Sequence, residues 1–227
     1  MVVYFRCECR PGSWKDYTIS MFYTILDAER RSLLLLFREF KKDFYLAGGT
    51  SLALQIGHRD SVDFDFFSET PLNTQKLFER LRIIFKEHAI VKIQEERDTL
   101  TVLIDGSVKV SFFAYSYKLI GQIVSDENIL LASIEDIGCM KLSAIVGRAS
   151  NKDYIDLYFI LQRIPLADLL RKAHEKYPEL EKNLILKSIV YFEDITLEKI
   201  AFKNNNDVAF EEVKNGLRNA VKKLHYG

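Results

Sequence analysis

The apolar positions of this chain keep a helical period at both ends and an alternating period in the middle. Across residues 19–40 they recur as Phe22, Ile25, Leu26, Leu33, Leu34, Phe37 and Phe40, which predicts one helix or two joined near Arg30. Residues 43–47 read as a strand that ends in Gly48-Gly49. A short helix is expected over 51–56, with Gly57 as its C-cap. Residues 62–67 form a second strand, and Pro71-Leu72-Asn73 opens a helix over 74–87 that buries Leu77, Leu81, Ile84 and Phe85. Alternation over 90–95, 99–104 and 108–115 predicts three more strands, the last two joined by a hairpin at Asp105-Gly106.

Beyond Gly121 the pattern changes. A short strand at 129–131 leads to Ser133, read as an N-cap with Asp136 three positions on. Helices are then expected over 134–146, 152–163, 166–177, 180–192 and 207–225, with Asn204-Asn205-Asn206 as a turn. Residues 1–15, punctuated by Pro11-Gly12, read as an irregular or β-like lead-in. The expected fold class is α/β (α+β): a small mixed sheet flanked by helices. Residues 1–118 would form the core, and 119–227 a helical region completing one side of a cleft.

Composition narrows the classes without choosing among them. Apolar residues make up 48% and charged residues 28%, ordinary for a globular chain. With 32 basic and 32 acidic residues the net charge is zero, which argues against an extended polyanion-binding surface. No apolar run approaches the ~20 residues that span a bilayer, and MVVYFRCECRPGSW does not read as a signal peptide. A cytoplasmic protein without a membrane partner is expected. Cys7, Cys9 and Cys139 cannot all pair internally, and Cys7-x-Cys9 is not a usual zinc spacing, so free thiols in a reducing compartment fit best.

Chemistry concentrates around residues 48–65. Strand residues alternate faces, so Asp63 and Asp65 point one way while Phe64 and Phe66 point into the core. Two carboxylates ~7 Å apart on one strand face suit a hard divalent cation. Gly48 and Gly49 let backbone approach a bulky ligand, and a helix starting after them would aim N–H groups and its positive end at an anion. Thr50 and Ser51 could cap that helix or donate to a phosphate.

Gly48-Gly49, thirteen intervening residues and Asp63-Phe64-Asp65-Phe66 together resemble the signature of the polymerase-β-like nucleotidyltransferase superfamily. The fuller string GGTSLALQIGHRDSVDFDFFS is similar to one branch, the AbiEii/AbiGii toxin family. A second block supports it: Lys141-Leu142-Ser143-Ala144, then Arg148, then Lys152-Asp153-Tyr154-Ile155-Asp156-Leu157-Tyr158. The resemblance covers roughly residues 43–162.

The resemblance implies transfer of a nucleoside monophosphate from a nucleoside triphosphate to a hydroxyl, with Mg²⁺ held by Asp63 and Asp65. Gly48, Gly49, Thr50, Ser51 and Lys141 are the implied nucleotide contacts, joined by Arg59 through an Arg-x-Ser-x-Asp pattern. Asp153 or Asp156, on one helix face, would orient Lys141 or the acceptor. A toxin–antitoxin setting, a cognate antitoxin and a tRNA or other RNA acceptor also belong to this expectation.

One departure matters. Related enzymes place a third carboxylate on a neighbouring strand, where this chain has Ser111 in Lys109-Val110-Ser111-Phe112-Phe113. Serine is neither a comparable ligand nor a useful base, and nothing in the sequence places Glu95, Glu96 or Asp105 there. The alternative reading is therefore a nucleotidyltransferase fold that binds nucleotide or a partner without turnover.

Overall fold

A computed structural model describes residues 2–4 and 18–226. Cys7, Cys9 and the Pro11-Gly12 punctuation lie outside the described residues. The chain divides into two compact units. Met1–Gly57, Ser61–Ser116 and Ile123–Ala132 make a sheet unit; His58–Asp60, Tyr117–Gln122 and Ser133–Gly227 make a helical unit.

In the sheet unit, β1 (Val2–Tyr4) pairs antiparallel with β2 (Thr18–Ser20). The region expected to be helical from residue 19 therefore opens as a strand. A 3₁₀ turn at Tyr23–Ile25 follows, and α1 (Ala28–Phe37) starts only after Asp27, whose side chain accepts the Arg30 N–H at 2.8 Å. The helical spacing before residue 27 reflects burial of Ile25 and Leu26, not continuous helix.

Next come β3 (Tyr45–Ala47), α2 (Gly48–Ile56), β4 (Phe64–Ser68) and α3 (Thr74–Ile84). β5 (Ile90–Glu96), β6 (Thr99–Ile104), β7 (Val108–Ala114), β8 (Val124–Ser125) and β9 (Leu130–Leu131) complete the sheet. The seven-stranded order is β5-β6-β7-β4-β3-β9-β8. β4 pairs parallel with β7 and β3 parallel with β9; the other pairs are antiparallel, so the sheet is mixed. The β6–β7 hairpin turns at Asp105 and Gly106, with φ of 49° and 71°, the left-handed pair that a two-residue turn of primed type requires.

The apolar face of β4 is fixed by aromatic packing. The Phe37 ring of α1 lies 4.8 Å from Phe64 and 5.0 Å from Phe66, and Phe66 stacks on Phe112 of β7 at 5.3 Å. Phe64 and Phe66 are buried, which turns Asp65 to the opposite face.

The helical unit contains α4 (Ile134–Gly147), α5 (Asn151–Leu161), α6 (Leu166–Lys176), α7 (Lys182–Val190) and α8 (Phe210–Tyr226). α4 packs on α5, α6 and α7, and α8 on α5 and α7. Ser133 caps α4 as expected, its Oγ accepting the Asp136 N–H at 3.0 Å. The Asp136 carboxylate does other work. It accepts the Ile120 and Gly121 N–H groups at 3.0 and 2.9 Å and pairs with the fully buried Lys176 at 2.8 Å. Gly121 is required there, because a Cβ would stand 2.2 Å from Ser133 Oγ. Cys139 is buried and free, and no described helix is long and apolar enough to cross a membrane.

Candidate active site

Within the sheet unit the carboxylate pair is built at the start of β4. Asp63 sits immediately before the strand and Asp65 is its second residue. Thr50 of α2 donates its hydroxyl to the Asp63 carbonyl and lies 2.7 Å from Ser61 Oγ, so the chain entering β4 is tied to the first turn of α2. Gly48 has φ +71°, and a Cβ added to it would lie 3.3 Å from Asp65 Oδ2. Only glycine meets both the left-handed backbone and the tight approach. The first turn of a helix offers N–H groups not used within the helix, so α2 starts where an anion beside Asp65 would be welcome.

Thr50 and Ser51 are turned inward, at 2% and 0% exposure. Gln55 Nε2 lies 3.3 Å from Ser51 Oγ and donates to the Ser51 and Ala132 carbonyls. These hydroxyls brace α2, and the cap residue of the helix is Ala47, without a side-chain bond.

The neighbouring strand is where the chemistry thins. Register places Thr101, Ser111, Asp65 and Ala47 in one row across β6, β7, β4 and β3. Ser111 is thus the direct neighbour of Asp65, buried, with its Oγ 3.4 Å from Thr101 Oγ1. Glu95 falls in the row of Leu100, Phe112 and Phe66, on the opposite face from Asp65. Glu96 shares the Asp65 face but lies three strands away, about 14 Å at normal strand spacing. Asp105 is engaged at the hairpin, with Oδ2 2.6 Å from His88 Nδ1 and Oδ1 accepting the Ala89 N–H. None of the three takes the place of a carboxylate at Ser111.

Sequence reasoning missed a charged group on the same strand. Lys109, two residues before Ser111 on β7, places Nζ 2.9 Å from Asp63 Oδ2. The signal was the same alternation that aligned Asp63 with Asp65, applied one strand over.

The donor set suits Mg²⁺. Among the described residues no group of three or more His, Cys, Asp or Glu side chains could hold a metal ion alone. Mg²⁺ needs no such cage; one or two carboxylates, completed by phosphate oxygens and water, are its usual protein ligands. Asp63 and Asp65 are the residues that would hold it.

In the helical unit Arg59, Lys141, Asp153 and Asp156 come together in one buried network. Arg59 forms a bidentate pair with Asp156, Nε to Oδ1 at 2.7 Å and Nη2 to Oδ2 at 2.8 Å, and its Nη1 donates to the Asp60 carbonyl. Lys141 Nζ lies 2.6 Å from Asp156 Oδ2 and 2.7 Å from Asp153 Oδ1, and the exposed Arg148 reaches Asp153 Oδ2 at 3.1 Å. His58, expected at the surface or in a structural place, is 1% exposed and 2.7 Å from Asp156 Oδ1.

Burial by itself would raise the Asp156 carboxyl, but the charges of Arg59 and Lys141 and the bonds from His58 and Arg59 hold it well below the usual range. Burial would likewise lower Lys141; Asp156 and Asp153 outweigh it and keep the ammonium charged. For His58 burial wins, pushing the imidazole down against the pull of Asp156, so the ring is neutral. The buried members balance, two cations against two anions.

Comparison with known proteins then decides the family. The profile described as "Nucleotidyl transferase AbiEii toxin, Type IV TA system" matches residues 34–223. The chain belongs to this family. The chain is 42% identical over 158 residues to the uncharacterized protein aq_aa25 of Aquifex aeolicus (strain VF5), covering 67% of this chain and 75% of that one. The AbiEii chain also has the fold of MenT4, a nucleotidyltransferase toxin of Mycobacterium tuberculosis H37Rv, with TM-score 0.61, 15% identity and 87% and 82% of the two chains covered. JHP933 from Helicobacter pylori gives TM-score 0.58 at 18% identity over 91% and 94%. This AbiEii member is therefore an α/β nucleotidyltransferase-family domain, with the seven-stranded mixed sheet as its core.

Proposed function

We propose that this AbiEii-family protein is a Mg²⁺-dependent nucleotidyltransferase that moves a nucleoside monophosphate from a nucleoside triphosphate to a hydroxyl acceptor, releasing pyrophosphate. The observation that carries this reading is Asp65 Oδ2, held 3.3 Å from the missing Gly48 Cβ at the start of α2, with Asp63 braced by Thr50. Carboxylates there serve a metal, and the glycine-led helix start serves the phosphates the metal accompanies. Asp63 and Asp65 would hold a divalent ion there, and that ion would offset the charge that develops in phosphoryl transfer.

The chain's own residues have separable parts in this scheme. Asp63 and Asp65 hold the ion. Gly48 and Gly49 admit the polyphosphate to backbone N–H groups, while Thr50 and Ser51 keep that backbone rigid. In the helical unit Asp153 and Asp156 are the carboxylates that orient Lys141. Arg59, whose fork is spent on Asp156 and Asp60, is assigned to holding Asp156 in place. RNA, with a tRNA end foremost, is the proposed acceptor class. The setting is cytoplasmic, with an antitoxin partner as the family description suggests.

A second reading has a specific observation behind it. Ser111, in register beside Asp65, is buried and carries no charge, so nothing on β7 can take the acceptor's proton as a third carboxylate would. On that ground the protein would bind metal–nucleotide and a partner without turnover. Label transfer separates the two. Protein, Mg²⁺, each α-labelled nucleoside triphosphate and either total RNA or cell protein are incubated beside an Asp63→Ala/Asp65→Ala control. Label on an acceptor that requires the aspartates supports the transferase. Nucleotide binding without transfer to any acceptor establishes the second reading instead.

A further inference from the structure

β7 supplies the Asp63/Asp65 face with a cation where a third anion was expected. Lys109 Nζ lies 2.9 Å from Asp63 Oδ2, and the two side chains are 43% and 41% exposed. The pair stands in solvent, where such contacts are weak and exchangeable. Lys109 and Ser111 alternate on one strand, and Ser111 is in register with Asp65. The ammonium is therefore on the same face as both carboxylates.

We propose that Lys109 is the resident counter-cation of the carboxylate pair: it occupies Asp63 in the free protein, and a divalent ion must displace it before both aspartates can bind metal. The inference rests on the metal-binding reading of Asp63 and Asp65. The Lys109 ammonium offsets the charge of Asp63, which makes the pair a poorer site for a bare divalent ion. An ion that arrives with a nucleoside triphosphate brings surplus negative charge, and the displaced ammonium then gains a phosphate partner. Lys109 thereby couples metal binding to nucleotide binding, and by linkage each tightens the other. The metal alone is held weakly and the metal–nucleotide complex strongly.

The test is Mn²⁺ binding to the full chain, read by loss of the free-ion paramagnetic signal. It is run with and without a triphosphate whose α–β bridge cannot be cleaved. Lys109→Met should bind Mn²⁺ alone about two- to fivefold more tightly than wild type, the strength of an exposed ion pair. The enhancement of Mn²⁺ affinity by the nucleotide should shrink by at least that factor. Lys109→Arg, which keeps the charge, should match wild type in both. Unchanged or weaker Mn²⁺ binding by Lys109→Met overturns the proposal, because a lysine that only orients Asp63 would give that sign. If Asp63→Asn and Asp65→Asn bind Mn²⁺ as wild type does, the metal-site reading itself falls and the inference with it.

Discussion

Asp156→Asn is the sharpest test of the helical unit. The substitution keeps volume and removes one charge from a fully buried carboxylate that takes bonds from Arg59, His58 and Lys141. Breaking a buried ion pair while leaving its partner costs about 3–5 kcal/mol, since the orphaned cation stays desolvated. Lys141 retains Asp153, while Arg59 loses the carboxylate it pairs with among the described residues, and the lower end, ~3 kcal/mol, is expected. For a chain of this size that is a fall in Tm of about 6–12 °C.

The pH dependence carries a sign. The Asp156 carboxyl lies well below its ordinary value in the folded protein. Its contribution is therefore complete above the unfolded value, about 3.9, and is lost only as pH falls through the depressed folded value. Thermal melts of wild type and Asp156→Asn followed by circular dichroism should show a constant gap from pH 8 to pH 5 that closes only in acid. A gap under about 2 °C at pH 7 would show that the network is not a buried, balanced one. A gap that widened between pH 7 and pH 6 would refute the assignment of the neutral ring to His58, because an imidazole protonating beside the Asp156 carboxylate stabilises wild type and not Asp156→Asn.

Three further outcomes are expected. Gly48→Ala, which places a Cβ against Asp65 at φ +71°, should lower Tm by only about 2–6 °C but weaken Mn²⁺ binding more than tenfold; intact binding would detach Gly48 from the metal site. Ser111→Ala should leave label transfer within about twofold, because a buried hydroxyl bonded to Thr101 is no metal ligand, and a tenfold loss would give that hydroxyl a role in the reaction. Gly121→Ala should cost about 2 kcal/mol, or about 4–8 °C in Tm, since its Cβ would collide with Ser133 Oγ and crowd Asp136; an unchanged melt would mean that the strap at residues 117–122 moves freely.

What could be read along the chain was what depends on near neighbours. The Asp105-Gly106 turn, the Ser133 cap and the Gly57 C-cap each follow from backbone preference, which acts over a few residues. The order of the two motif blocks also lies in the sequence, and it was enough to indicate the family that the profile match later established. The start of α1 at Asp27 and the entry to β4 at Phe64 were less legible, because apolar spacing records burial and does not distinguish a helix from the turn before it.

Only the tertiary structure decided who meets whom. Arg59 and His58 find Asp156 across nearly a hundred residues, Asp136 finds Lys176 across forty, and Lys109 finds Asp63 through the parallel pairing of β4 with β7. Register is chosen by the whole sheet and buried charge is tolerated only where a partner is delivered, so neither can be computed from the residues on either side. The sequence determined which carboxylates, hydroxyls and glycines lie close together along the chain; the fold determined that Thr50, Ser51 and Arg59 are spent on holding other residues in place, and that a lysine sits on Asp63.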